Sequence, residues 1–302
     1  MKRAALLLLT LSLLTPAAKA GNCTFTVPNP PTHDFGTYLP LSGGAVQQLT
    51  TFNVDCVPPE TVTVQFSAGG SGNLAARQMS FGVNTLSYNI YRDAGRSEVW
   101  GNGTSGTFTL SKTMTTGDRT LVVNVYGQIP AGLNAVPSSP SLYTDQITVT
   151  IIWSGGSKSD TRTFQVQAKV DPECSVTTAP LAFGNYDPVS ANAVTALNGV
   201  GTVNVYCTTG TFATVMLDPG SHAAGTTRRM LGPSANLLTY EIYLDSTRAT
   251  PWRTASPNVL TGTSSSKNIA INNGFTAYGQ IPAGQDVVFG SYTDTVLVTV
   301  NY

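Results

Sequence analysis

The sequence predicts an all-β protein made of two immunoglobulin-like β-sandwich domains. Turn-forming residues punctuate the chain, with 29 glycines and 18 prolines, whereas charged residues make up only 11% of it. Apolar and polar residues alternate in several stretches, for example at Ile147, Val149, Ile151 and Trp153, and this period of two is typical of half-buried strands. Short strands separated by turn signals, with no long amphipathic helix pattern, favour sandwiches of about seven strands each.

The chain contains two copies of one domain. YNIYRD at 88–93 returns as YEIYLD at 240–245, VYGQIPAG at 125–132 as AYGQIPAG at 277–284, and YTDQITVTIIW at 143–153 as YTDTVLVTVNY at 292–302. A repeat of roughly 150 residues is far longer than a solenoid unit and suits duplicated globular domains.

Residues 1–20 are predicted to be a secretory signal peptide. Lys2 and Arg3 precede the apolar run 4–14, which is too short for a membrane-spanning anchor, and Ala18-Lys19-Ala20 forms a small-x-small cleavage site. Without Lys2, Arg3 and Lys19 the 16 basic residues fall to 13 against 16 acidic ones, which gives a formal net charge of −3. Sparse, scattered charge of this kind indicates neither a nucleic-acid partner nor an anionic membrane surface.

The four cysteines agree with export. Cys23 and Cys56 have the same separation as Cys174 and Cys207, so among the three possible connectivities the repeat favours one bridge within each copy. Such bridges need an oxidising compartment, which is the periplasm in a bacterium. The sequence has no CxxC motif and only two histidines. We therefore expect neither a metal site nor a cofactor.

The first copy continues beyond its last shared strand. After Trp153, residues 162–170 alternate polar and apolar side chains, and the apolar positions are Phe164, Val166, Ala168 and Val170. We expect this segment to be the final strand of a first domain that spans residues 21–170. Residues 171–173 break the pattern and are interpreted as a linker to a second domain at 174–302.

The second copy stops at Tyr302 without a counterpart of that strand. A sandwich that lacks one strand exposes apolar side chains and unpaired backbone groups, which invite a strand from elsewhere. We therefore expect a donor-strand acceptor groove along the inward face of the last strand, at Val296, Val298, Val300 and Tyr302. Only Gly21 and Asn22 would precede Cys23 after cleavage, so the chain is expected to accept a strand but not to donate one. In a head-to-tail filament, a subunit of that character lies at one end.

Both copies resemble the spore coat protein U domain. The resemblance rests on the paired cysteines, the Y-x-[IL]-Y-x-D strand, the YGQIPAG turn and the terminal YTD strand, and it covers nearly all of residues 21–302. This family includes subunits of archaic, Csu-type chaperone–usher pili, and a two-domain member with a blunt N-terminus is similar to their tip adhesins. The resemblance implies a place at the pilus tip on the cell surface, with a role in attachment and biofilm formation. The implied partners are a periplasmic chaperone, an outer-membrane usher, an adjacent pilin that donates its N-terminal strand, and an abiotic or host surface.

The adhesive surface is expected at the pole of the first domain that faces away from the linker. An immunoglobulin-like strand order places three loops there: Val57, Pro58 and Pro59; Asn102, Gly103 and Thr104; and Ser154, Gly155 and Gly156. In Csu-type tip adhesins, the corresponding loops are apolar fingers that grip hydrophobic surfaces. Here only the first loop is apolar, so a hydrophobic surface and a glycan both stay open as targets.

Two other functions compete with adhesion at a pilus tip. The family name suggests a structural protein of a spore or cell-surface coat, and the polar loops suggest a lectin-like, glycan-binding module. Catalysis is not expected, because His33 and His222 occupy unmatched positions in the two copies and neither lies in a recognisable nucleophile motif.

Overall fold

A computed structural model describes residues 21–27, 29–138 and 141–302 as two domains built almost entirely of β-strands. The predicted all-β class is therefore confirmed. The expected signal peptide at 1–20 lies outside the described residues. Over the three described ranges, no helix has both the length and the apolar character needed to cross a membrane.

The first domain contains strands β1 to β10. Their bounds are β1 Cys23–Phe25, β2 His33–Tyr38, β3 Val46–Cys56, β4 Glu60–Phe66, β5 Arg77–Phe81, β6 Asn84–Tyr91, β7 Leu110–Met114, β8 Thr120–Ile129, β9 Tyr143–Trp153 and β10 Lys158–Val170. One layer has the order β1-β3-β8-β6, and the other has the order β2-β10-β9-β4-β7. Strand β5 pairs with both β6 and β9, so it joins the layers along one side and the sandwich is curled.

Strand β10 closes the first domain and begins earlier than the sequence predicted. It starts at Lys158 rather than at residue 162, because its antiparallel pairing with β9 extends to Lys158↔Trp153. On its other side it pairs in parallel with β2, from Val166↔His33 to Val170↔Tyr38. Its inward side chains are fully buried in the core, and they are Phe164, Val166, Ala168 and Val170.

The second domain contains strands β11 to β18. Their bounds are β11 Cys174–Ala182, β12 Leu197–Cys207, β13 Phe212–Leu217, β14 Arg228–Leu231, β15 Leu237–Tyr243, β16 Leu260–Thr263, β17 Phe275–Ile281 and β18 Val298–Asn301. One layer has the order β11-β12-β17-β15-β14, and the other has the order β16-β13-β18. Each domain has one disulfide, and the bridges Cys23–Cys56 and Cys174–Cys207 follow the connectivity that the repeat favoured.

The joint between the domains is held by polar contacts. Residues 171–173 connect β10 to β11, and the Glu173 carboxylate accepts hydrogen bonds from the Leu41 N–H (2.9 Å) and the Ser42 hydroxyl. In the second domain, Lys267 Nζ donates to the carbonyl of Gly132. The end of the first domain where β2 and β10 finish therefore faces the second domain, and the opposite pole faces outward.

Candidate functional site

The two domains share a pair of tyrosine hydrogen bonds, here called the tyrosine clasp, that shows which of their strands correspond. In the first domain, the Tyr38 hydroxyl donates to the carbonyl of Pro130 (3.0 Å) and accepts the N–H of Leu133 (2.8 Å). In the second domain, Tyr186 makes the same two hydrogen bonds to the second IPAG turn, each at 2.9 Å. These tyrosines end the matching sequences FGTY and FGNY, so the segments that contain them correspond.

This correspondence makes Leu181 the counterpart of His33. Each of these side chains covers a glycine of the YGQ motif. A Cβ atom on Gly127 would lie 1.9 Å from His33 Nε2, and a Cβ atom on Gly279 would lie 2.7 Å from Leu181 Cδ2. Because His33 pairs with β10 at Val166, Leu181 marks the edge along which a corresponding strand would run in the second domain.

The second domain has an open groove at the position that β10 fills in the first. The groove has a volume of about 400 Å³ and lies between the segments 178–183 and 292–298. Side chains of both layers form its floor, among them Val203, Leu217 and Ile242. None of the residues in the three described ranges supplies a strand there. The apolar core of the second domain is therefore accessible from this side.

The edge of the groove is an incompletely paired strand. Its counterpart in the first domain, β9, is regular over Tyr143–Trp153 and pairs with β10. The matching segment 292–302 has strand structure only at Val298–Asn301, where it pairs with β13 on the side away from the groove. Within the described part of the chain, the groove side of this edge has no strand partner, which is the condition that favours strand addition.

The residues predicted to line the groove divide into two groups. Val296, Val298 and Val300 are half-buried and pack against the core of the second domain, and the first two line the groove. Tyr302 is 58% exposed and lies outside that cluster, so its place in the groove stays a prediction. The pairing of β18 with β13 ends at Asn301, so no neighbouring strand covers the residue that follows.

A buried carboxylate occupies the same position beside β10 and in the groove. Asp145 accepts hydrogen bonds from the Tyr88 hydroxyl (2.7 Å) and the Gly70 N–H (2.9 Å). Its counterpart Asp294 accepts from the Tyr240 hydroxyl (2.8 Å), and His222 Nδ1 lies 3.0 Å from its other oxygen. Burial is the main cause that raises the pKa of Tyr240, and the hydrogen bond to Asp294 raises it further. These pairs hold the strand edges in place. The described ranges contain no group of three metal-ligating side chains.

The outward pole of the first domain is mostly polar. Val57 is 58% exposed there, and its N–H donates to Asn22 (2.8 Å). The turn Ser154–Gly156 is adjacent, because Glu60 accepts the Ser154 N–H (2.7 Å) and hydroxyl (3.1 Å). A third loop, 115–119, reaches the same pole, since Arg119 accepts the Cys56 N–H (2.9 Å). Sequence reasoning missed this loop, although its TTGDR sequence is a turn signal between two strands.

The loop at Asn102, Gly103 and Thr104 lies elsewhere, so its predicted place at the pole is wrong. Gly101 accepts the Phe66 N–H (3.1 Å), and Phe66 pairs with Val149 near the middle of β9. Asn102 lines a depression with Ala68 and neighbouring residues rather than with the polar loops of the outward end. The side chains of this loop are exposed on the flank of the domain.

Sequence comparison shows the same two-domain organisation. The Spore Coat Protein U domain matches residues 8–150 and again residues 160–299. The chain belongs to this family. Each of its two halves is therefore a Spore Coat Protein U (SCPU) domain, and the groove belongs to the second SCPU domain.

Two known proteins are similar to this SCPU chain. Protein U of Myxococcus xanthus is 30% identical over 183 residues, which cover 56% of this chain and 100% of that protein. The structure of the CsuC–CsuE chaperone–tip adhesion subunit pre-assembly complex, from the archaic chaperone–usher Csu pili of Acinetobacter baumannii, has a TM-score of 0.53 and 15% identity. That match covers 93% of this chain and 100% of the other, so the fold is shared over both domains.

Proposed function

We propose that this protein is the tip adhesin of a chaperone–usher pilus and that a strand of another polypeptide completes its second SCPU domain. The observation that carries the proposal is the open groove, which occupies the position of β10 and is bordered by the same clasp and the same buried carboxylate. The resemblance in fold to a tip subunit that was crystallised with its chaperone supports the assignment.

The strand is first that of a periplasmic chaperone and then that of the adjacent pilin, exchanged at an outer-membrane usher. It runs between 181–186 and 292–302, parallel to the first segment and antiparallel to the second, because β10 has these orientations relative to β2 and β9. The alternating pattern of β10 would place apolar side chains in the groove and polar ones in solvent.

A graft tests the acceptor site directly. Trp153 and Tyr302 are counterparts, so appending a copy of residues 154–170 after Tyr302 supplies the turn and the closing strand in the correct register. We expect the graft to protect the second domain from hydrogen exchange and to raise the denaturant concentration at which that domain unfolds. The matched control carries aspartate in place of Phe164 and Val166 within the copy only. The proposal fails if residues 21–302 are equally stable with and without the graft.

The adhesive surface is the outward pole of the first domain, formed by the loops at Val57, 115–119 and 154–157. Val57 is 58% exposed and lies beside Pro58 and the exposed Pro59 in the apolar loop of this pole, so Val57→Asp is expected to weaken attachment to an abiotic surface and reduce biofilm formation. Val83→Asp is the control, because Val83 is 97% exposed in the β5–β6 turn, and neighbouring Ser80 pairs with Thr144 at the opposite end of β9. Equal loss of attachment in both variants would contradict this placement.

A glycan is the second candidate target. The loops at 115–119 and 154–157 consist of threonine, serine, aspartate, arginine and glycine, and their hydroxyl, carboxylate and guanidinium groups suit hydrogen bonding to a sugar better than contact with a flat apolar surface. A glycan array probed with residues 21–302 distinguishes these targets, because specific sugar binding that survives Val57→Asp would favour the glycan.

A further inference from the structure

The groove of the second SCPU domain is lined by smaller side chains than those at the matching positions of the first. Five buried residues of the first domain have smaller counterparts in the second, and all five of these counterparts line the groove. The replacements are Phe52 by Val203, Phe66 by Leu217, Thr50 by Gly201, Val125 by Ala277 and Ile147 by Val296. Each pair is fixed by its distance from a matched cysteine or tyrosine in the repeat.

The largest change moves an aromatic ring away from the groove. In the first domain Phe52 pairs with Val123, and its ring lies 6.4 Å from that of Phe164. In the second domain the aromatic and the aliphatic residue have exchanged strands, since Val203 pairs with Phe275. The Phe275 ring packs 6.4 Å from that of Trp252 instead. The pair of residues keeps the same total side-chain volume, but the larger side chain no longer lies next to the position of Phe164.

The next inward-facing pair of residues along these strands is also smaller in the second domain. Thr50 pairs with Val125, and these two residues are the next inward-facing pair after Phe52, toward Val166. Their counterparts Gly201 and Ala277 pair in the same register and line the groove. A Cβ atom on Gly201 would lie 3.1 Å from the backbone of Leu181, so the chain itself covers this glycine. The space is therefore at Ala277, where a valine on an incoming strand would leave a gap, and empty space in a core is destabilising.

We infer that the strand completing the second domain carries an aromatic side chain opposite Leu217 and Val203 and a side chain larger than valine opposite Ala277. This inference rests on the proposed function, because it specifies the strand that the acceptor groove selects. The groove therefore discriminates among donor subunits by the size of two side chains that lie two residues apart on the incoming strand.

The grafted protein described above measures this preference. Replacing valine by leucine at the copy of Val166 adds one methylene opposite Ala277, which should lower the opening equilibrium of the second domain about fourfold. Replacing the copy of Phe164 by alanine should raise that equilibrium about a hundredfold or more. Hydrogen exchange in Leu237–Tyr243, the strand β15 that lies between β17 and β14, reports both changes.

Two matched controls come from the chain itself. Leucine at the native Val166 of β10 should destabilise the first domain, because Val166 is fully buried and an added methylene would overpack the core there. In the grafted protein, Ala277→Val narrows the groove at this position and should abolish the advantage of leucine over valine.

The outcomes separate the two proposals. The inference is overturned, and the acceptor site stands, if the graft stabilises the second domain but leucine and valine are equivalent in the copy. It is also overturned if the advantage of leucine persists unchanged in the Ala277→Val background. If no graft of any sequence stabilises the second domain, the acceptor site itself is wrong.

Discussion

His33 gives a sharp test of how burial acts in this fold. Its side chain is 0% exposed, and neither ring nitrogen has a hydrogen-bond partner. The ring lies edge-on to Phe35, with centroids 4.7 Å apart, and 5.9 Å from that of Phe164. Burial lowers the pKa of His33 from its ordinary value of 6.5 to about 4, and the charge of nearby Asp34 opposes this shift only in part.

The lowered pKa makes the first domain sensitive to acid. Above pH 6.5 the imidazole is neutral in the folded and the unfolded chain, so its titration costs no stability. Between pH 6.5 and 4 the unfolded chain binds a proton that the folded domain does not, and stability falls as the pH falls. At pH 4.5 the loss amounts to about 2–3 kcal/mol.

His33→Leu should remove this sensitivity, because leucine is the residue at the matching position 181 and cannot titrate. At pH 7.5 the variant should be more stable by about 1–3 kcal/mol, since two unsatisfied buried nitrogens disappear. At pH 4.5 its advantage should grow by a further ~2–3 kcal/mol.

Urea unfolding of residues 21–302, followed by tryptophan fluorescence at both pH values, measures these differences. Trp100 and Trp153 report on the first domain. The control is His222→Gln in the second domain, which should leave the first transition unchanged at either pH. The reasoning is refuted if His33→Leu lowers stability at pH 7.5, or if its advantage is the same at both pH values.

Three further changes test contacts of the fold. Arg77→Met should cost the first domain about 3 kcal/mol in urea unfolding, because the fully buried Arg77 guanidinium donates to the carbonyls of Ser67 and Trp100; an unchanged midpoint would contradict this. Tyr38→Phe and Tyr186→Phe should each cost about 1–2 kcal/mol and speed hydrogen exchange only in the IPAG turn of their own domain. Glu173→Gln should broaden the distances between spin labels on the two domains without changing either unfolding midpoint, and an unchanged distribution would argue against a role for this carboxylate in the joint.

Alternation and repetition were sufficient to predict the class of the fold and the disulfide pairing. They failed where structure depends on neighbours distant in sequence. The first part of β10 is polar, so only its pairing with β9 reveals that the strand starts at Lys158. The segment 93–109 contains isolated bridges such as Tyr91↔Val99 rather than regular strands, so counting strands misplaced the Asn102 loop.

The match between His33 and Leu181 was also hidden from the sequence. The stretch from Cys174 to Phe183 is shorter than that from Cys23 to Phe35, so a constant offset aligns the wrong residues. The clasp of Tyr38 and Tyr186, which end the matching sequences FGTY and FGNY, gives the correct alignment. The roles of the groove and of the outward loops stay predictions that the experiments above decide.

The position of β10 also determines how the molecule would carry a mechanical load. The linker leaves β10 at Val170, so a force that draws the second domain away from the outward pole acts along the axis of this strand. Its hydrogen bonds to β9 and β2 lie across that axis and are loaded in shear. These hydrogen bonds must break together rather than one after another. A pulling force along β10 therefore has to be high before the first domain unfolds.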